Sequence, residues 1–261
     1  PTITPGNFVS LGGNLPIEHL QLDSDWSAYL SVTELQKKNT ETYNCTAHTI
    51  LQAIQAYMKR KFGLDVNYSE RFVGIMAGTK FPGNDPHSVC ESIRKNGLIP
   101  EDMLPFGDDI LTPEQYYDPN VVTQAMRDEG KKWLAQYDFK HEYVYTQHSK
   151  DDVFLLKEML KNSPLAVAVN AWFTNDKGEY IRLIDQDNHY TTLVKPQWAM
   201  RDSYEPFDKK LVPEYELGYP KRFYIEKKSP INPVALARAE GLLASIKRLL
   251  SQLIQLFMAD K

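Results

Sequence analysis

Apolar positions recur at helical spacing through the first half of the chain and alternate with polar ones through much of the second. From Cys45, the segment CTAHTILQAIQAYMKRKFG sets Ala47, Ile50, Leu51, Ile54 and Met58 on one face and ends at Gly63, which predicts a helix opened by the cysteine. Shorter periodic segments over 69–76 and 87–96 stop near Gly78 and at Gly97. A turn-rich stretch over 100–119 precedes a helix predicted from about Val121 to Tyr137, and the alternation over 141–145 then reads as a strand. Asp151 or Asp152 caps a short helix through Leu160; PLAVAVNAW is a buried run, HYTTLV alternates, and RFYIEK supplies a further strand. With no internal repeat, the change from helix period to strand period predicts an α+β fold of two lobes, helical and then mainly β.

The two ends depart from this pattern. Residues 1–24 carry Gly6, Gly12, Gly13 and three prolines without periodicity and read as an irregular arm laid on the surface. Beyond Pro230 and Pro233, residues Leu236, Ala239, Leu243, Ile246, Leu250, Leu253 and Phe257 alternate spacings of three and four, the seam of a coiled coil, so 232–261 is predicted to be an appended amphipathic helix. One helix cannot bury such a face alone. Homo-oligomerisation through this helix is the favoured destination, with docking on the body or contact with a membrane surface through Arg238, Lys247 and Arg248 as the others.

Composition narrows the function classes. The 261 residues are 42% hydrophobic and 25% charged with a net charge of −4, which describes a soluble globular protein and lacks the basic footprint of a nucleic-acid binder. No run reaches the ~18 apolar residues of a membrane-spanning helix. The start at Pro1 carries no signal sequence and reads as a processed or cloned fragment, which leaves the compartment open. Two cysteines do not make a disulfide framework, and both are expected as free thiols.

Cys45 is the first chemical candidate, because the unpaired N–H groups and dipole of a helix N-terminus favour a thiolate. A lone cysteine is more often a small buried hydrophobe, the reading kept for the mid-helix Cys90. A nucleophilic thiol needs a base and a group that orients the base. His189 heads the alternating strand HYTTLV, from which an imidazole projects into a cleft. His48, three residues after Cys45, fits packing better than a catalytic pair. His87, His141 and His148 show no metal-ligand spacing with one another or with Cys45, which disfavours zinc chemistry. Paired-carboxylate glycosidase chemistry has no pair that stands out by position.

In order along the chain, YNCTAHTIL, GLIPEDMLPF, KDDVFLLKEMLKNSPLAVAV, DNHYTTLV, RDSYEP and GYPKRFYI resemble the papain family of cysteine peptidases over roughly 25–225. Asp25-Trp26 is similar to the Asp-Trp pair near the family's mature N-terminus. The resemblance implies a two-lobe papain-like domain over 25–228, helical to about 120 and β from 121, with an active-site cleft between. It implies hydrolysis of peptide bonds through a thioacyl-enzyme by Cys45, His189 and Asp202, without metal or cofactor, on a peptide or protein substrate. Asp202-Ser203-Tyr204 stands where the family has Asn-Ser-Trp; a carboxylate there stabilises the imidazolium, and Tyr204 takes the shielding role of the tryptophan. The family glutamine that completes the oxyanion site lies six residues before the cysteine, which lands on Asn39, while the nearest glutamine is Gln36; both stay open, with Gln36 favoured. Thr46 replaces the usual tryptophan and the family's disulfides cannot form, so the pattern is closer to disulfide-poor bacterial or phage-type members. A transglutaminase-like acyltransferase, which shares a Cys-His-Asp triad, and a catalytically idle binding module are the alternatives.

Overall fold

The computed structural model of the chain describes residues 15–145, 148–149, 153–229, 242 and 245–250. Helices α1 (Cys45–Phe62), α2 (Glu70–Met76), α3 (Pro86–Asn96), α4 (Pro113–Tyr116) and α5 (Gln124–Gln136) precede the first strand, and α6 (Val153–Leu160) lies among the strands. Local signals set most of their ends. Ser69, Asp85, Thr112 and Thr123 accept backbone hydrogen bonds as N-caps of α2 to α5. Gly63, in the left-handed conformation at φ 68°, closes α1: its N–H donates to the Lys59 carbonyl at 3.1 Å, and the Leu64 N–H donates to the Met58 carbonyl at 3.4 Å.

The first helix is buried more completely than one apolar stripe predicts: residues 46–58 are all buried. The polar side of its wheel is satisfied by partners rather than by water. Thr49 donates to the Tyr190 carbonyl at 2.7 Å, Thr192 donates to the Thr49 carbonyl at 3.2 Å and to Gln52 at 3.0 Å, and Gln55 accepts from the Tyr68 N–H at 2.9 Å. Periodicity finds one core face; it cannot show that the other face is stitched to a strand.

Strands β1 (Tyr137–Tyr143), β2 (His148–Ser149), β3 (Leu165–Val169), β6 (His189–Lys195), β7 (Ala199–Arg201), β8 (Asp208–Lys210) and β9 (Leu217–Lys227) form a sheet of order β1-β9-β3-β6-β7-β8, with β2 also on β9; β4 (Phe173–Thr174) and β5 (Tyr180–Ile181) make a small hairpin. β1 begins four residues before the predicted strand, because α5 ends directly in extended backbone at Tyr137. β3 explains how the sheet carries two cores. Ala166 and Ala168 face the cluster built on α1, α3 and α5, while Leu165, Val167 and Val169 face a second cluster with Trp26, Leu156 and Leu160. Small residues on the helix side let α1 approach closely. A similar close approach joins α3 and α5: a Cβ on Gly97, whose φ is 72°, would lie 1.9 Å from the Gly130 carbonyl oxygen.

Residues 15–24 have no regular secondary structure; Pro16, Ile17, His19, Leu22 and Asp23 are exposed, while Leu15 and Ser24 are buried at the two ends. Leu15 is buried, its N–H donates to Glu142 at 3.2 Å, and Arg222 donates to its carbonyl at 2.9 Å. The chain separates into two compact units, 1–226 and 227–261. In the second, Leu242 and residues 245–250 are helical, with Leu242, Ile246, Leu249 and Leu250 exposed. The rest of the predicted 232–261 helix, the Asp151/Asp152 cap and residues 1–14 lie outside the described residues. Among the described residues no helix is long and apolar enough to cross a membrane.

Trp26 ties the entering segment to the sheet. It is fully buried, its indole N–H donates to the Leu160 carbonyl at 2.6 Å and its backbone N–H to Val194 at 3.0 Å. Trp26→Ala removes this packing and leaves the Leu160 carbonyl without its donor. It is expected to lower unfolding free energy by about 3–5 kcal/mol in a urea titration.

Candidate active site

Cys45 is the first residue of α1. Its predecessor Asn44 would be a favourable N-cap, but its amide is turned away and donates to the Glu70 carbonyl at 2.9 Å and to Tyr116 at 3.1 Å. The first-turn N–H groups are therefore not taken up by the Asn44 side chain, and the thiol sits at the positive end of the helix. Burial by itself pushes the thiol up; the hydrogen bond to His189 and the charge of that ring outweigh it and hold Cys45 below the usual thiol range.

His189 is the first residue of β6, paired opposite Val169 of β3. Its Nε2 lies 2.6 Å from Oδ1 of Asp202, just past β7. Burial raises the Asp202 carboxyl, but the charges of His189 and Lys209 bring it below its ordinary value. An ionised carboxylate only accepts hydrogen bonds, so Nε2 carries the proton and Nδ1 is left for the sulfur. Burial works against protonation of His189 as well; Asp202 first and Cys45 second overcome it and push the ring up to about 10.

Behind Asp202 stands Lys209 of β8, its Nζ 2.8 Å from Oδ2 and its side chain only 2% exposed. The ammonium also donates to the carbonyls of Tyr204 at 2.7 Å and Pro206 at 2.6 Å, and lies 5.1 Å from the Trp172 ring centroid. Four side chains thus alternate in charge from Cys45 to Lys209.

Two rings cover the imidazole. Tyr204 and Trp172 each place a centroid 5.5 Å from that of His189. The Tyr204 hydroxyl donates to Glu41 at 2.5 Å and accepts from Gln36 Nε2 at 2.8 Å. Gln36 Nε2 also donates to Glu41 at 2.8 Å, and its Oε1 accepts from Ser203 at 3.0 Å. Both amide hydrogens of Gln36 are thereby engaged, and Gln36 reaches the site through Tyr204. Asn39 is exposed and donates to the Asp108 carbonyl at 2.8 Å, sharing no hydrogen bond with this network.

The other candidates fall elsewhere. His48 is buried 3.8 Å from Glu70; burial drives the ring down to about 3 and the carboxyl well up, so this is a contact of neutral groups rather than an ion pair. Cys90 is buried and pushed up to about 12. Sequence spacing gave no metal cluster, yet the fold brings His87 and Glu91 of α3 beside His141 of β1, with ligand atoms within 4.8 Å of one another. Protein groups already serve that carboxylate: Arg94 takes both oxygens at 2.9 and 3.0 Å, and His141 Nε2 lies 2.8 Å from Oε1. His148 lies on β2.

Lys209, Trp172 and Glu41 escaped the sequence reading. Lys209 sits in the run Asp208-Lys209-Lys210, which looks like a solvated edge; strand alternation, which turns only the middle residue inward, was the available signal. Cys45 and His189 open onto one cavity of about 1090 Å³, walled by Thr46, Ala168, Tyr190 and Tyr219 among others.

No protein-family model and no curated protein sequence matches the chain. Solved structures do. Digestive procathepsin L 3 of the Tenebrio molitor larval midgut is similar at a TM-score of 0.51 and 17% identity, over 79% of this chain and 73% of that one. Recombinant stem bromelain precursor gives 0.53 and 18%, over 78% and 70%. The fold is papain-like. The bromelain protease from Ananas comosus, solved with the E64 inhibitor, is similar at 0.50 and 16% identity, over 79% of this chain and 98% of that one. The papain-like fold thus persists at identities where sequence comparison alone finds no relative.

The charge alternation is testable through thiol chemistry. The pH dependence of Cys45 alkylation by iodoacetamide is expected to report an apparent pKa well below that of an ordinary thiol, since His189 stabilises the anion. Asp202→Asn withdraws charge from the imidazolium, and the midpoint is expected to move upward. Cys90 is expected to stay silent through neutral pH, so that intact mass reports a single adduct.

Proposed function

We propose that this chain is a cysteine endopeptidase that hydrolyses peptide bonds through Cys45, His189 and Asp202. The observation that carries the reading is the thiol at the head of α1 opening onto the same cavity as His189, whose imidazole a buried carboxylate holds at 2.6 Å. The papain-like fold supports it, since the similar solved structures include procathepsin L 3 and bromelain proteases. The Cys45 thiolate attacks the peptide carbonyl carbon, and the electron pair of the carbonyl π bond passes to oxygen. His189, protonated on both ring nitrogens, donates its Nδ1 proton to the leaving amine as the C–N bond breaks. Neutral His189 then takes a proton from water, whose oxygen attacks the thioester; the acid product leaves and the thiolate–imidazolium pair returns. Asp202 fixes the ring's tautomer and orientation throughout. Backbone N–H groups at the head of α1 hold the oxyanion. Gln36 contributes by fixing Tyr204 over His189, because its amide hydrogens are engaged with Tyr204 and Glu41.

The same reading covers the rest of the chain. The peptidase domain spans 25–228, divided near residue 120, and 232–261 serves self-association. The pair of free thiols fits a disulfide-poor bacterial or phage-type lineage. Transglutaminase-like acyl transfer differs only in the acceptor, so product analysis with an added primary amine separates the two.

Cys45→Ala is expected to abolish turnover of a peptide library and labelling by thiol-directed electrophiles while leaving the thermal transition near that of the parent. Turnover that survives the substitution excludes the mechanism. The alkaline limb of kcat/KM is expected near pH 10, where His189 loses its proton. Asp202→Asn lowers the imidazole pKa and moves that limb to lower pH, whereas Lys209→Met, which leaves Asp202 a stronger partner for the ring, moves it upward.

A further inference from the structure

The cavity that holds Cys45 and His189 has a lopsided charge. Asp85, Asp185, Asp187 and Glu216 line it, and among the described residues no lysine or arginine does. Two cations stand behind these carboxylates. Arg182, whose side chain is 11% exposed, lies 2.9 Å from Asp187 and 3.6 Å from Asp185, and also donates to the Glu216 backbone carbonyl at 3.1 Å. Lys221 is fully buried and interacts electrostatically with Asp85, whose Oδ2 additionally accepts from the Ser88 N–H and hydroxyl as the cap of α3. Cys45 and His189 cancel each other. Four carboxylates thus line the cavity, while Arg182 and Lys221 stand behind its wall rather than on it.

Glu216 stands out among the four. It is half-buried in the cavity wall, directly before β9, and its carboxylate has no ion pair or hydrogen bond with any described residue. The same cavity is also lined by Ala168, Tyr190, Tyr219, Pro82 and Pro86. Apolar walls with one unmatched carboxylate suit a long aliphatic stem that ends in a cation, and a partly desolvated carboxylate attracts that cation more strongly than one in open water.

Resting on the peptidase reading above, we infer that the cleft selects peptides carrying an arginine or lysine side chain beside the scissile bond, with Glu216 as the group that receives its charge. A glutamate in the same place meets repulsion from the lining carboxylates, and a leucine fills the walls but leaves Glu216 unmatched.

The test uses a peptide series in which Arg, Lys, Leu and Glu are placed at one position at a time on each side of the cleaved bond. At one of these positions Arg or Lys is expected to exceed Leu by about tenfold in kcat/KM, with Glu lower still. Glu216→Gln is expected to bring the Arg-to-Leu ratio close to one, and added salt to reduce it in the parent. Leu or Glu peptides cleaved as fast as Arg and Lys peptides at every position, or a ratio unchanged in Glu216→Gln, overturns the inference. If no peptide is cleaved, the peptidase reading fails on its own. The charge preference is then read from fluorescence anisotropy of the same peptides on the Cys45→Ala chain, with and without Glu216→Gln; equal affinity for Arg and Glu peptides sinks it there.

Discussion

The contact between the sulfur at the head of α1 and the imidazole at the head of β6 is the constraint around which the other elements are arranged. Neither group holds its charge alone, because burial opposes thiolate and imidazolium alike. The two heads must therefore be kept in register. Thr49, Gln52 and Thr192 do this with hydrogen bonds between α1 and β6, so that helix and strand move as one body. β3 supports the arrangement from the other edge of β6 and presents small alanines toward the helix. Asp202 and Lys209 extend it, from a turn and a strand on the far side of β6.

Much of this was legible in the sequence because it rests on short-range rules. Cys45 opens an apolar-periodic helix, and His189 heads an alternating strand; both are local patterns, and both are found at the site. The α+β class followed from the change of period. What could not be read depends on contacts between residues distant in sequence. Lys209 looks like surface until the sheet order places β8 on β7. Gln36 and Asn39 could not be separated by spacing, since the loop before α1 has no periodicity to set its register. Its geometry comes from Glu41, which accepts from Gln36, Tyr43 and Tyr204 together. The His87, Glu91 and His141 cluster joins a helix to a strand that lies about fifty residues downstream, beyond the reach of any spacing rule.

Both cysteines are free, so this papain-like body is held without covalent cross-links. Polar ties take up part of that task in the loop leading to Cys45. Thr42 donates to the Gln36 carbonyl at 2.9 Å, and Tyr117 donates to the Thr42 carbonyl at 2.6 Å. Each satisfies a backbone group that would otherwise be costly to bury. The loop is thereby fixed by groups insensitive to the redox state of the medium.

The line of side chains running from Cys45 through His189 and Asp202 to Lys209 alternates minus, plus, minus, plus and sums to zero. A neutral row of this kind has strong fields close at hand and a potential that dies away steeply with distance, much faster than that of a single ion. An approaching molecule is therefore blind to the reacting groups until it is nearly in contact with them. At longer range it senses only the fixed charges on the surrounding walls.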